Sequence, residues 1–213
     1  MATFLTVRKR VNHLIGETNY NTKAKSAVID SHINASIFDI CDTFPFSWNM
    51  VTDDLTLAAG VADLPTDFNP KWRIYDARIV GVSTDNDVVF TEIPVENRNN
   101  FQNEAVYWIT YDTTSGLHIF NTPTQSGTVA VYYYSVPAEL TANSDICIVP
   151  DYEAVAYLAA SKLYLGSPQN APIKAEFKAE AQKRIQAMWS SDNMFGPTYI
   201  ERSIAGDNLS QNG

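Results

Sequence analysis

The sequence predicts an α+β fold: a discontinuous four-helix bundle, built from both chain ends, with an inserted antiparallel β domain and an extended C-terminal tail. Two changes of hydrophobic periodicity support this. Apolar residues recur at helical spacing near both ends of the 213 residues, and short alternating runs separated by turn residues lie between them. We therefore place the bundle at 1–44 and 141–190, the β domain at 45–140 and the tail at 191–213.

Two helices are predicted before the β domain. The first carries an apolar stripe and ends at Gly16, and the second runs from about Thr22 to Asp42. The second helix has two apolar faces, and the small residues of one face would let another helix approach closely. The first helix is marked by Phe4, Val7, Val11 and Leu14. The faces of the second are Ile29, Ile33, Ile37 and Ile40, and Ala24, Ala27, Ser31, Ala35 and Phe38.

The β domain is predicted to be a meander-rich antiparallel sheet or sandwich. The stretch "DTTSGLHIF" is its clearest hairpin, with Gly116 at the turn. The three adjacent tyrosines at 132–134 could stack on a sugar or a base, but they favour a strand packed on both faces. We expect strands at 48–58, 72–83, 87–95, 105–112, 117–122 and 128–137.

Two more helices complete the bundle, from about Asp151 to Leu165 and from about Ala171 to Ser190. The third helix is apolar nearly all round, which is typical of a helix with neighbours on several sides. We expect Ala156 and Ala160, or the small-residue face of the second helix, to lie at close helix contacts within or between subunits. The predicted stripe of the fourth helix is Ile173, Phe177, Ala181 and Met188.

The last 23 residues show neither helical nor strand periodicity and end in small polar residues. A segment of this composition cannot bury enough apolar surface to fold alone. Its spaced apolar side chains are instead suited to docking on another protein. These candidate docking residues are Met194, Phe195, Tyr199, Ile200, Ile204 and Leu209.

The composition excludes several classes of protein. A net charge of -9 disfavours a protein that wraps nucleic acid, because such surfaces neutralise phosphates with Lys and Arg. No apolar run approaches the roughly 18 residues of a membrane span, and the N-terminus lacks a signal-peptide core, so we expect a soluble protein made in a cytoplasm. The basic run Arg8-Lys9-Arg10 is interpreted as the solvated back of the first helix. Cys41 and Cys147 are interpreted as two reduced thiols.

We predict no catalytic, cofactor-binding or metal-binding residues, and therefore no enzyme. The three histidines, at 13, 32 and 118, stand alone, and no metal, nucleotide or nucleophile motif occurs. The acidic pairs Asp53-Asp54 and Asp85–Asp87 lack the spacing of a calcium loop and are interpreted as turn residues.

The order of motifs resembles the head-to-tail adaptor proteins of tailed bacteriophages. Two N-terminal helices lead through "FPFSW" into strands and "DLPTDFNPKWRIYDARI", and the β region ends before "VPDYEAVAYLAA" and a closing amphipathic helix. The resemblance covers about Thr6 to Trp189 and is nearest to the tail-tubular-A-like connectors of short-tailed phages.

This resemblance implies a structural virion protein of the neck, without a cofactor. Such adaptors form a ring, usually twelve-fold, which joins the portal to the tail or nozzle protein and lines part of the channel, where DNA passes without specific binding. In a ring, the third helix would be covered by its own bundle and by an adjacent subunit. The alternative is a carbohydrate-binding or receptor-binding β module that presents Trp72, Trp108 and the tyrosines at 132–134.

Overall fold

A computed structural model describes residues 1–16, 23–58, 61–72, 74, 76–80, 88–89, 91–100, 106–112, 116–120, 127–163 and 171–195. These residues form an α+β fold with four α-helices and eight strands. The helices are α1 (Phe4–Leu14), α2 (Lys23–Thr43), α3 (Tyr152–Leu163) and α4 (Ala171–Phe195). The strands are β1 (Met50–Leu57), β2 (Val61–Asp63), β3 (Asp76–Val80), β4 (Val88–Val89), β5 (Thr91–Glu92), β6 (Val106–Asp112), β7 (Gly116–Phe120) and β8 (Gly127–Tyr134).

Local sequence signals explain where the helices begin and end. The Thr3 hydroxyl accepts the backbone N–H of Thr6 at 3.3 Å and caps α1, and Gly16 follows that helix with a φ of 71°, which glycine adopts without strain. The first three helices lie close to their predicted ranges. The fourth was predicted to end near Ser190 but continues to Phe195, so the first five residues of the predicted tail are helical.

Helices from both ends of the chain share one hydrophobic core. Its members include the predicted aliphatic stripe of α2, the apolar face of α1, most of α3 and Ile185 of α4. The predicted stripe of α4 is partly wrong, because Ile173 is 40% exposed whereas Ala181 and Ile185 are buried. The first turns of α4 therefore lie beyond the core.

The β region contains two four-stranded sheets, with strand orders β1-β8-β3-β4 and β2-β7-β6-β5. The hairpin predicted at "DTTSGLHIF" is confirmed as β6 and β7, which pair Asp112 with Gly116. Strand β2 was missed, because its three residues lie in a stretch interpreted as a turn. The pairing is not wholly antiparallel either, since β5 runs parallel to β6.

The chain crosses from one sheet to the other at both edges. One residue separates β4 from β5, and three residues separate β1 from β2, where Ala58 forms a bridge with Val61. A second hydrophobic core lies here and includes Leu55, Phe68, Val131 and Tyr133.

Candidate functional site

No catalytic or metal-binding constellation occurs in the part of the chain that the structure describes. His13 is exposed beside Arg10, and His32 is half-buried. Burial lowers the pKa of His32, and the nearby Lys162 lowers it further. The side chain of His118 lies outside the described residues. Over the same ranges, no three His, Cys, Asp or Glu side chains come together as metal ligands.

The two acidic pairs have different outcomes. Asp53 and Asp54 were interpreted as turn residues, but they lie in the middle of β1, opposite Val131 and Ala130 of β8. Both are exposed, and β1 is the first strand in the order of its sheet. The residues Asp85–Asp87 lie outside the described part of the chain.

The two cysteines are free thiols in the structure, as the sequence predicted. Cys41 and Cys147 are 1% and 0% exposed, in the helical core. Burial raises the pKa of Cys41 to about 12 and also raises the pKa of Cys147. Protonated and shielded thiols are poor nucleophiles, so these residues have a packing role.

Helix α3 lies between the other three helices of this chain. It packs against α1, α2 and α4, and four of its alanines are 0% exposed. Small side chains allow this close approach from several directions. The alanines of α3 are therefore covered within one chain, without an adjacent subunit. The four alanines are Ala154, Ala156, Ala159 and Ala160.

The small-residue face of α2 is open on this chain. Ala27 and Ser31 are exposed and Ala35 is half-buried, while the side chain of Ala24 lies outside the described residues. The neighbouring Val28 is 51% exposed. The opposite face of α2, with its isoleucines, is buried. Thus α2 presents an uncovered surface of small and apolar side chains.

The basic run at the start of the chain is not simply a solvated face. The Arg8 guanidinium donates to both carboxylate oxygens of Asp30, and Nε of Arg10 donates to Glu153 at 2.8 Å. Both arginine side chains are less than one third exposed, and Lys9 is the exposed member of the run. Arg8 joins α1 to α2, and Arg10 joins α1 to α3. The interpretation of the run as a solvated face was therefore wrong for two of its three residues.

Tyr157 links α3 to two helices at once. The guanidinium groups of Arg10 and Arg184 each lie 5.6 Å from its ring centroid, and the Phe177 ring meets it edge-on at 5.7 Å. Arg184 also forms a 3.0 Å ion pair with Asp151, just before α3. Cations over an aromatic face are attracted by its quadrupole. This cluster connects α1 and α4 through Tyr157 of α3.

The gap between α2 and α4 remains open as a groove of about 590 Å³. Phe44, Leu158 and Ile185 provide its apolar surface, and Leu158 belongs to α3. Asp39 and Asp42 of α2 are part of its polar lining, and they form ion pairs with Lys162 and Lys71, respectively. On the α4 side, the polar lining consists of Lys178, Gln182 and Gln186. The α2 residues of this groove belong to the last two turns of that helix.

The end of α4 is fastened to the "FPFSW" segment, and we call this contact the α4 clamp. The Trp189 ring stacks on Phe44 at 4.8 Å and meets Phe46 edge-on at 5.8 Å. Asp192 accepts the backbone N–H of Ser47 at 2.7 Å and also its hydroxyl proton. The α4 clamp consists of Phe44, Phe46, Ser47, Trp189 and Asp192. It joins the helical core to the segment that leads into β1.

The aromatic side chains proposed for a carbohydrate-binding or receptor-binding platform are buried or half-buried. Tyr133 and Tyr134 are buried, and Tyr132 is half-buried. The Tyr133 hydroxyl donates to Asp67 at 2.8 Å. Trp72 is half-buried and its Nε1 donates to the backbone oxygen of Cys41, while Trp108 is half-buried. These contacts favour structural roles for Tyr133 and Trp72.

Charge is divided unevenly along the chain. Residues 45–140 contain four Lys or Arg and twelve Asp or Glu, a formal charge of -8. The other 117 residues contain eleven Lys or Arg and twelve Asp or Glu, a formal charge of -1. Nearly all of the net charge therefore belongs to the β region. In the described helices, no segment is long and apolar enough to span a bilayer.

The described residues thus present an open face on α2, an acidic β region and several contacts between helices. The sequence matches the family described as SU10 adaptor protein over residues 2–201. The chain therefore belongs to the SU10 adaptor family and is a bacteriophage head-to-tail adaptor, a component of the virion neck. The predicted resemblance to phage adaptors is confirmed at this level. No curated protein sequence matches the chain.

Proposed function

We propose that this adaptor forms a ring, twelve-fold in the common case, that joins the portal to the tail or nozzle protein of a short-tailed phage of the tail-tubular-A-like type. The four helices would act as one bundle in each subunit. The main support is the open face of α2, where Ala27, Val28 and Ser31 are exposed whereas the isoleucines on its opposite face are buried. A different surface of the adjacent subunit would cover this face, which is the arrangement that closes a ring.

The net charge of -9 supports passage of DNA without specific binding, because an acidic channel does not retain phosphate. Subunits would be made in the host cytoplasm and assembled at the portal. The channel itself would be formed by the ring as a whole.

We further propose that the C-terminal segment docks on the portal. Each large side chain among Tyr199, Ile200 and Leu209 could contribute about 1.5–3 kcal/mol when buried. Ordering the segment costs about 1–2 kcal/mol per residue, so the contact must be extensive to prevail. Met194 and Phe195, the first candidate docking residues, lie on the last turn of α4, and Ile204 completes the set.

Two experiments test the proposal separately. A chain that ends at Phe195 keeps all four helices and should fold, but it should no longer co-sediment with portal rings. Retained co-sedimentation of the shortened chain would contradict docking of the segment.

For the ring, Val28→Asp should abolish the adaptor layer in electron micrographs of portal mixed with adaptor. The matched control is Thr6→Asp, the same kind of change at an exposed position of α1. Normal rings with Val28→Asp would contradict a subunit contact at this face.

A further inference from the structure

Helix α4 extends past the helical core. Met188 and Trp189 are its last side chains packed against that core, and the helix continues for six more residues to Phe195. At 1.5 Å per residue, this extension is about 9 Å long. It begins with Ser190 and Ser191, which are exposed. Helix ends fray unless they are held by other parts of the protein.

The α4 clamp holds this extension in place. Asp192 lies seven residues beyond Ile185 and binds Ser47 through both carboxylate oxygens, and Trp189 stacks on Phe44 with an interplanar angle of 9°. A two-point contact and a ring stack together fix both the position and the rotation of the last turns. Phe46, which is 0% exposed, anchors the other side of the contact.

We infer that Asp192 is a positioning residue, which with Trp189 sets the point and direction in which the C-terminal segment leaves the molecule, so that the segment meets the portal already aligned. The inference rests on the proposed docking of that segment. Rigid presentation of a binding segment raises affinity, because less freedom is lost when the contact forms. Fixing the point where the segment begins also raises the effective concentration of the segment at its portal site.

The experiment compares portal affinity among full-length variants at a temperature where each is folded by circular dichroism. Asp192→Ala removes both acceptors, and we expect its dissociation constant for purified portal rings to rise at least tenfold. Asp192→Asn retains a carbonyl acceptor of the same shape and should recover much of the affinity. Glu176→Gln is the matched control, since it removes one carboxylate from an exposed position of the same helix and should bind like the parent.

A fourth variant separates positioning from stability. Six Gly and Ser residues inserted directly after Phe195 leave the clamp intact but release the segment from its direction, and they should weaken portal binding as much as Asp192→Ala does. Amide hydrogen exchange of residues 189–195 in free Asp192→Ala should be faster than in the parent protein.

The outcomes of the two proposals differ. Parent-like portal affinity for Asp192→Ala or for the insertion variant would overturn the positioning role, while loss of binding by the chain ending at Phe195 would still support docking of the segment. If the shortened chain binds portal normally, docking fails and the positioning role fails with it. Slow exchange of residues 189–195 in Asp192→Ala would also overturn the inference.

Discussion

Replacing Ala156 with leucine should destabilise the protein by overpacking α3. Ala156 is 0% exposed in a helix that packs against α1, α2 and α4, so the added carbons have no solvent-facing direction. Inserting methylenes into a well-packed core costs about 1–3 kcal/mol. For a chain of this size, each kcal/mol shifts the melting temperature by about 2–4 °C, so a decrease of roughly 2–12 °C is expected.

Thermal unfolding followed by far-ultraviolet circular dichroism measures this effect. The control is Ala27→Leu, the same change at an exposed position of α2. Leucine and alanine have similar helix propensities, and surface substitutions usually change stability by less than about 0.5 kcal/mol. Equal melting temperatures for the two variants would refute the conclusion that three helices enclose α3.

Three other predictions concern protonation and hydrogen bonding. Cys41 and Cys147 should resist thiol reagents in the folded protein and react after unfolding, because both are buried and burial raises their pKa. Burial lowers the pKa of His32 in the folded state. The contribution of His32 to stability is therefore present above its unfolded pKa and is lost as pH falls through its folded pKa. In His32→Gln, the free energy of unfolding should depend less on pH. Tyr133→Phe should cost about 1.5–3 kcal/mol in chemical unfolding, because it removes a hydrogen bond to the Asp67 carboxylate.

Each of these predictions has a contrary result. Rapid labelling of either thiol in folded protein would show that the helical core opens readily. An unaltered pH profile for His32→Gln would mean that this histidine has the same pKa in both states. If Tyr133→Phe matches the parent in stability, the hydrogen bond to Asp67 makes no net contribution; Thr56→Val, at an exposed position of β1, is the surface control.

The helices were predictable because their signals are local. The isoleucines of α2 recur at helical spacing and all four are buried, and Gly16 marks the end of α1. The end of α4 was missed because its last turns are stabilised by Ser47 and Phe44, which lie about 145 residues earlier in the sequence. Periodicity in a short window carries no record of such distant partners.

The same limit applies to β2 and to the basic run. Val61–Asp63 is only three residues long and becomes a strand by pairing with β7, so its sequence resembles a turn. Arg8 and Arg10 look like surface residues until Asp30 and Glu153 are placed beside them. The sequence identifies the small residues of α2 and α3, but it does not distinguish which of them are exposed. Those of α3 are buried, whereas Ala27 and Ser31 of α2 are exposed.

The packing of α3 against α1, α2 and α4 bears on whether folding of the subunit depends on assembly. Its alanines reach 0% exposure without any second chain, so the core requires no partner to exclude water. A protein whose core depends on association melts at a temperature that rises with its concentration. For this protein, we expect a unimolecular unfolding transition with a melting temperature that does not change with protein concentration. Such a transition would indicate that the subunit folds before it associates.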